Sequence, residues 1–151
     1  MKIVISTSSK LFEELDTTRA LAVPVNCLGV MGAGLALAVK QRFPEASEVY
    51  IQHCKKGLMK PGMVLFTSHN GFYFYFVATK NNWKNKSELS YVEKGITNLI
   101  ASLKFDKLKA VSIPALGCGL GGLNWTTVLP ILQAELTQSN LETVAYIYPP
   151  K

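Results

Sequence analysis

The chain has 151 residues, of which 48% are hydrophobic and 17% are charged. This composition excludes intrinsic disorder, because enough apolar surface is present to offset the entropy lost on ordering, and the length fits one domain. Sixteen lysine and arginine residues against ten acidic residues give a net charge of +6, which favours polyanionic partners.

The N-terminal part of the chain predicts two strands with a helix between them. Residues 2–6 and 20–25 are short β-branched runs, and the second is almost continuously apolar, as expected of a strand covered on both faces. Apolar residues recur at helical spacing over residues 11–15, behind Ser8 and Ser9, either of which could cap the helix.

Two consecutive helices and a hairpin follow. A helix over residues 35–43 must stop or bend at Pro44, because proline disfavours the helical conformation at the residue before it. The next helix is predicted from Glu45 to about Lys56. A hairpin over residues 64–78 has Asn-Gly at its tip, which is the strongest short-range signal for a two-residue turn.

The C-terminal part predicts two helices, each followed by a strand. Residues 87–103 form an amphipathic helix with apolar residues three and four apart, and residues 109–113 form a buried strand. A helix from Asn124 to about Leu136 and a strand over residues 144–148 complete the order. Strands alternating with helices in this way predict a mixed sheet between helical layers.

The cysteines and the apolar runs bear on where the protein works. The longest apolar runs, such as residues 72–78, are far below the roughly 20 residues needed to cross a bilayer. Cys27, Cys54 and Cys118 are odd in number and lack zinc-ligand spacing. We therefore expect a cytoplasmic protein with reduced thiols, no metal, no cofactor and no membrane partner.

A first glycine loop, residues 26–34, follows a buried strand and runs directly into a helix. Glycines allow close approach of the backbone, and a helix start directs unpaired N–H groups and a positive dipole end at a ligand. This arrangement predicts an anion site, and a pyrophosphate fits it.

A second glycine loop, residues 114–123, repeats the sequence of strand, glycines and helix. Both loops are expected at the carboxyl ends of their strands, where α/β proteins bind ligands, so the two can clasp one ligand. A tight connection without a ligand is the alternative for either loop alone. Neither loop has the P-loop or dinucleotide-fold pattern, which disfavours ordinary kinases and dehydrogenases.

Three motifs stand out in order along the chain, namely VNCLGVMGAGLA from Val25, ATKNNW from Ala78 and LGCGLGGLNW from Leu116. Together they resemble the macrodomain family. Within it they resemble the macrodomains of the DNA ADP-ribosyl glycohydrolase antitoxins, with the human terminal ADP-ribose protein glycohydrolase as a cousin. The resemblance covers nearly the whole chain and implies a three-layer α/β/α sandwich, one macrodomain over residues 1–151, that binds ADP-ribose.

The resemblance also implies roles for individual residues. Asn26 would hold the distal ribose, residues 32–34 would line its face, and residues 117–122 would wrap the diphosphate. Lys80 matches the lysine that the antitoxin group needs for catalysis. The expected ADP-ribose-binding residues are Val30, Met31, Gly32, Ala33, Gly34, Leu116, Gly117, Cys118, Gly119, Leu120, Gly121 and Gly122.

Lys80 has a chemical interpretation of its own. A lysine at the end of a buried strand near two anion loops can attack an anomeric carbon, because partial desolvation favours the neutral amine. A solvated strand end or a phosphate contact is the alternative. None of the ten acidic residues lies in either glycine loop, so the paired carboxylates of an ordinary glycosidase are not evident.

The sequence departs from the related patterns at two places. Gly121 stands where the human cousin has an aspartate that helps resolve the lysine adduct; the antitoxin group also lacks this aspartate, which points to the DNA-directed branch. Residues 6–9 are Ser-Thr-Ser-Ser, whereas the family usually has Gly-Asp there to read the adenine. A backbone or hydroxyl contact can replace that aspartate.

A basic loop, residues 80–86, has the composition of a nucleic-acid contact. Lys84 and Lys86 can contact phosphates while Trp83 stacks on a base of a single strand. A solvated loop with Trp83 folded inward is the alternative. No histidine lies near Cys118 in sequence, which favours a small residue required by a phosphate loop over a catalytic thiol.

The leading prediction is an enzyme that hydrolyses the N-glycosidic bond between ADP-ribose and a thymidine base of single-stranded DNA. Processing of free derivatives, such as ADP-ribose 1″-phosphate or O-acetyl-ADP-ribose, is one alternative, and a non-catalytic ADP-ribose reader is another. The resemblance implies three partners, namely ADP-ribose, ADP-ribosylated single-stranded DNA and a DNA ADP-ribosyltransferase toxin. Whether the chain is an isolated domain or a stand-alone enzyme stays open.

Overall fold

The computed structural model describes residues 1–7 and 10–150 of the chain. Every strand and helix predicted from the sequence is present, with ends shifted by a few residues, whereas the predicted caps Ser8 and Ser9 lie outside the described residues. The elements are β1 Lys2–Ile5, α1 Leu11–Thr18, β2 Ala20–Val25, α2 Gly34–Arg42, α3 Pro44–Lys55, β3 Val64–His69, β4 Phe72–Ala78, α4 Leu89–Asp106, β5 Ala110–Pro114, α5 Trp125–Gln138 and β6 Val144–Tyr148.

The strands form one sheet in the order β1-β6-β5-β2-β4-β3. β3 pairs antiparallel with β4 through the hairpin, and the other neighbouring pairs are parallel, so the sheet is mixed, as predicted. Because β2, β4 and β5 are parallel neighbours, their carboxyl ends lie side by side. The segments that follow them, residues 26–33, 79–88 and 115–124, therefore begin at one edge of the sheet.

Alternating side chains of the central strands supply two separate cores. Leu21 and Val23 of β2 pack with α1, α2 and α3, while Ala20 and Ala22 pack with α4 and α5 on the opposite face. Helices therefore cover both faces of the sheet, which explains why β2 is apolar at every position. The predicted three-layer α/β/α sandwich is confirmed.

Local sequence signals set two of the sharpest changes of direction. Pro44 is the first residue of α3, where its missing N–H costs nothing, and it separates α3 from α2 as predicted. Asn70 and Gly71 have φ angles of +51° and +80°, which two-residue hairpin turns require. Within the described residues, every helix is too short or too polar to span a bilayer.

The start of α5 gives a test of the fold. The Asn124 side chain accepts a hydrogen bond from the Thr126 N–H at 3.1 Å, which satisfies one of the free donors at the helix start. Replacing Asn124 by Ala should lower the free energy of unfolding by about 1 kcal/mol. The melting temperature should fall by about 2–4 °C, as measured by circular dichroism. Asn124→Asp keeps the acceptor and should stay close to the wild type; an equal loss in both variants would contradict this account.

Candidate active site

Lys80 lies against the first glycine loop. The Thr79 N–H donates to the Val25 carbonyl at 3.0 Å, which extends the pairing of β4 with β2 by one residue. Immediately beyond, the Cys27 N–H donates to the Asn81 carbonyl at 3.0 Å. These two backbone bonds enclose Lys80, so the lysine sits where the segments after β2 and β4 meet.

The carboxamide of Asn26 shapes the first glycine loop. Asn26 is 4% exposed, and its Oδ1 accepts from the N–H groups of Leu28 at 2.9 Å and Val30 at 3.3 Å. Its Nδ2 donates to the Val30 carbonyl at 2.8 Å, and the Tyr50 hydroxyl donates to the Asn26 carbonyl at 2.6 Å. Sequence reasoning assigned Asn26 to the ribose and missed this loop-forming role. Nδ2 carries a second hydrogen, which is the one that a ribose hydroxyl could accept.

The first glycine loop ends at the open start of α2. Ala33, the residue that precedes α2, is extended and makes no capping hydrogen bond with its side chain, which carries no acceptor. Gly34 has a φ of +57°, a conformation that glycine adopts without strain. The first N–H groups of α2, and the positive end of its dipole, are thus directed at the loop, where they favour an anion.

The second glycine loop is closed at its base by main-chain bonds. The Leu123 N–H donates to the Gly117 carbonyl at 2.9 Å, and the Gly122 N–H donates to the Gly119 carbonyl at 3.1 Å. Leu120, an exposed residue at the tip, brings a side-chain carbon within 3.8 Å of the position that a Cβ on Gly34 would take. The two glycine loops are therefore in contact at the start of α2.

The predicted binding residues differ in what they can present to a ligand. Met31 is 3% exposed and Leu116 is fully buried, and both side chains pack in the cores, so only their main chains can face the site. The Cys118 thiol donates to the Leu116 carbonyl at 3.5 Å, and burial raises the pKa of this thiol. Cys118 is therefore a protonated packing residue. The main chains of Val30, Gly32, Ala33, Gly34, Gly119 and Gly122 belong to exposed residues of the two loops.

The thiol beside Lys80 is also neutral. Burial raises the pKa of the Cys27 thiol to about 11, and its Sγ lies 3.7 Å from the Lys80 carbonyl oxygen. A thiol with this pKa is protonated at neutral pH, so Cys27 offers no thiolate. Within residues 1–7 and 10–150, no group of three or more His, Cys, Asp or Glu side chains is placed to hold a metal ion.

Lys84 and Lys86 of the basic loop contact different neighbours. Trp83 is 50% exposed, so it does not fold inward, and the Lys84 ammonium lies 5.4 Å from its ring centroid. The Lys84 N–H donates to the Asn82 Oδ1 at 3.0 Å, which fixes the turn. The Lys86 stem lies instead on the second glycine loop, with its Cδ 3.6 Å from the Cβ position of Gly122. No local pattern in the sequence predicts this contact.

Gly121 has no room for the aspartate of the human cousin. A Cβ on Gly121 would overlap the Ser87 hydroxyl oxygen and would lie 2.6 Å from the Gly117 carbonyl oxygen. Glycine is therefore required at this position by Ser87, a buried residue that sequence reasoning treated only as a helix start. A buried serine after a basic loop carries no signal in a single sequence that could have predicted this packing.

Two open depressions of the surface lie away from these loops. One, of about 290 Å³, is lined by Phe12, Ala38, Gln41 and Arg42, and the Arg42 guanidinium there is already bonded to Asp16 at 2.9 Å. The other, of about 390 Å³, lies along α3. Neither contains a residue of the glycine loops or Lys80. The candidate site is thus defined by its main-chain donors and its lysine.

Comparison with known proteins finds relatives that match most of the chain. The chain is 36% identical over 148 residues to a DNA ADP-ribosyl transferase-DNA ADP-ribosyl glycohydrolase fusion protein of Thermosipho africanus, covering 85% of this chain and 38% of that protein. It spans about two fifths of the length of the relatives it matches first.

Solved structures of related proteins share the whole fold. The macrodomain of Mycobacterium tuberculosis DarG superimposes with a TM-score of 0.91 at 33% identity, over 99% of this chain and 98% of that one. Thermosipho africanus DarTG in complex with ADP-ribose superimposes with a TM-score of 0.87 at 33% identity, over 99% of this chain and 42% of that one.

The family assignment rests on the sequence pattern as well as on the fold. The pattern of the Macro domain matches residues 23–132, a region that begins in β2 and ends in α5. It contains both glycine loops, Lys80 and the basic loop. The mixed sheet, the two loops at its carboxyl edge and this match agree, and the chain belongs to the Macro domain family.

Proposed function

We propose that this chain is an ADP-ribosyl glycohydrolase that removes ADP-ribose from thymidine bases of single-stranded DNA, with Lys80 as the catalytic amine. The observation that carries the proposal is the position of Lys80 between the backbone bonds of Thr79 and Cys27, beside the first glycine loop. The Lys80 backbone is thus held beside the first glycine loop, which leads to the uncapped start of α2, where main-chain donors suit a diphosphate. The relatives named as DNA ADP-ribosyl glycohydrolases support the same reaction.

ADP-ribose binding is assigned to the two glycine loops. Main-chain N–H groups at the start of α2 and in the second glycine loop would bind the diphosphate, and the second Nδ2 hydrogen of Asn26 would bind the distal ribose. The ADP-ribose complex of the Thermosipho africanus relative supports this part of the proposal. A distal ribose bound at Asn26 would have its C1″ on the same side of the site as Lys80.

The reaction then proceeds in two steps at C1″. The Lys80 Nζ attacks C1″ and forms a C–N bond while the bond from C1″ to the thymine nitrogen breaks. The base leaves with the bonding electrons and takes up the proton that the attacking nitrogen loses. Water then cleaves the lysine adduct and releases ADP-ribose, which regenerates the amine.

The basic loop is assigned to the DNA strand. Trp83, three residues after Lys80, is exposed and can offer a ring face to a base. The Lys84 ammonium lies 5.4 Å from the centroid of the Trp83 ring and places a positive charge beside it. The net charge of +6 adds general attraction to a polyanion. A DNA ADP-ribosyltransferase toxin is the proposed source of the substrate, in keeping with the relative whose name joins both activities in one protein.

Lys80→Ala should abolish release of ADP-ribose and leave ADP-ribose binding unchanged. We expect kcat on a thymidine-ADP-ribosylated single-stranded oligonucleotide to fall by about a thousandfold or more, because a nucleophile is lost. Lys80→Arg, which keeps the charge but cannot serve as a neutral amine, should be equally inactive. Binding of free ADP-ribose, measured by calorimetry, should be unchanged in Lys80→Ala.

Two further substrates separate the competing functions in the same assay. Release from an ADP-ribosyl-glutamate protein or from ADP-ribose 1″-phosphate, with none from the oligonucleotide, would replace the proposal with one of the alternatives. ADP-ribose binding without release from any substrate would identify a reader module. Unchanged turnover in Lys80→Ala would reject the lysine mechanism even if the oligonucleotide is the substrate.

Variants of the basic loop should separate DNA binding from ADP-ribose binding. Lys84→Ala should raise KM for the modified oligonucleotide and lower the slope of log affinity against log salt by about 0.7, the value for one phosphate contact on a single strand. Lys86→Ala should also weaken the binding of free ADP-ribose, because the Lys86 stem lies on Gly122 in the second glycine loop. The measurement is oligonucleotide affinity at several salt concentrations.

Lys104→Ala provides the matched control for these variants. Lys104 is an exposed lysine in the last turn of α4, and its loss changes the net charge by the same amount. It should leave both KM and the salt slope at their wild-type values. Equal effects of Lys84→Ala and Lys104→Ala would show that only the overall charge matters, and would remove the basic loop from the DNA site.

A further inference from the structure

Two buried hydroxyl groups connect the strand end that carries Lys80 to the second glycine loop. Thr79 is 2% exposed and Ser87 is 5% exposed. The Ser87 hydroxyl donates to the Thr79 Oγ1 at 3.3 Å, and the Ser87 N–H donates to the Gly121 carbonyl at 2.9 Å. A continuous hydrogen-bonded path therefore runs from the residue before Lys80 to the centre of the second glycine loop.

Ser87 also sets the shape of that loop by packing. Its Cβ lies 2.9 Å from the position that a Cβ on Gly121 would take and 3.3 Å from the corresponding position at Gly117. The main chain of the loop thus lies directly on the serine side chain. Because protein interiors are packed at crystal-like density, a displacement of Ser87 must be transmitted to the loop.

The same pair of hydroxyls closes the basic loop at its base. Thr79 precedes residues 80–86 and Ser87 follows them, so their side-chain bond joins the two ends of this segment. Thr79 is anchored in turn to β2 through the Val25 carbonyl. The backbone that flanks Lys80 is thereby bonded to β2 and to the first glycine loop and, through Ser87, to the second glycine loop.

We propose that Thr79 and Ser87 are positioning residues, which register the Lys80 amine against the loop that would bind the diphosphate. This inference rests on the proposed function. Attack on C1″ requires the reacting atoms to lie about 3–3.5 Å apart, and a misplacement of about 1 Å can reduce the rate by roughly a hundredfold. The hydroxyl pair supplies this precision without contacting the reacting atoms, so its loss affects kcat more than ADP-ribose binding.

The test removes each hydroxyl with the least change of shape. Thr79→Val and Ser87→Ala should each lower kcat for release from the modified oligonucleotide by about tenfold, the effect of one lost hydrogen bond between buried groups. The Kd for ADP-ribose should change by less than about twofold. Thr79→Ser, which keeps the hydroxyl, should recover most of the wild-type kcat. Thr97→Val, which removes an exposed hydroxyl bonded within α4, should leave kcat unchanged.

The double variant shows whether the two hydroxyls act through one bond. Thr79→Val combined with Ser87→Ala should lose about tenfold in kcat, as each single variant does, because the same bond is already broken. An unchanged kcat in Thr79→Val, a product of the two single losses in the double variant, or an ADP-ribose affinity that falls in step with kcat would overturn the inference.

Wild type and Lys80→Ala, assayed beside these variants, separate the two proposals. An active wild type and an inactive Lys80→Ala, together with an unchanged kcat in Thr79→Val, would retain the proposed function and reject the positioning role alone. A wild type that releases nothing from the oligonucleotide would reject the proposed function, and the positioning role with it. Melting temperatures within a few degrees of the wild type would establish that each variant is folded.

Discussion

The parallel pairing of β2 with β4 is the constraint on which the candidate site depends. The two strands are in register from Ala20 opposite Tyr73 to Val25 opposite Ala78, and the Thr79 N–H extends the pairing by one more bond to the Val25 carbonyl. Because parallel strands end at the same edge, the first glycine loop and Lys80 must begin side by side. β5, the other parallel neighbour of β2, delivers the second glycine loop to that edge.

The polar side chains of Asn26 and Ser87 at this edge are bonded within the protein. The Asn26 carboxamide is bonded three times within its own loop, and the Ser87 hydroxyl is bonded to Thr79. Buried polar groups need such partners, since an unpaired one costs about 1–3 kcal/mol. The main-chain N–H groups at the open start of α2 remain available, and they suit an anionic ligand.

Some of the fold and of the site could be predicted because the signals are local. Pro44 separates two helices by its own stereochemistry, and Asn70-Gly71 defines a hairpin through the φ angles that these residues tolerate. Leu21 and Val23 pack in one core and Ala22 packs in the other, as an apolar strand buried on both faces requires. A glycine loop between a strand and a helix is likewise recognisable from neighbouring residues alone, so both loops can be predicted from the sequence.

The elements, their order, the two glycine loops and the position of Lys80 after a buried strand can be predicted from the sequence, because each depends on residues close together in the chain. Which side chains meet across the edge of the sheet depends instead on the tertiary structure. Ser87 fills the space beside Gly121, Lys86 lies on Gly122, and Leu120 reaches Gly34. Such contacts join residues of different segments through packing in three dimensions, and a single sequence has no periodicity or spacing that encodes which distant residue will occupy a given space.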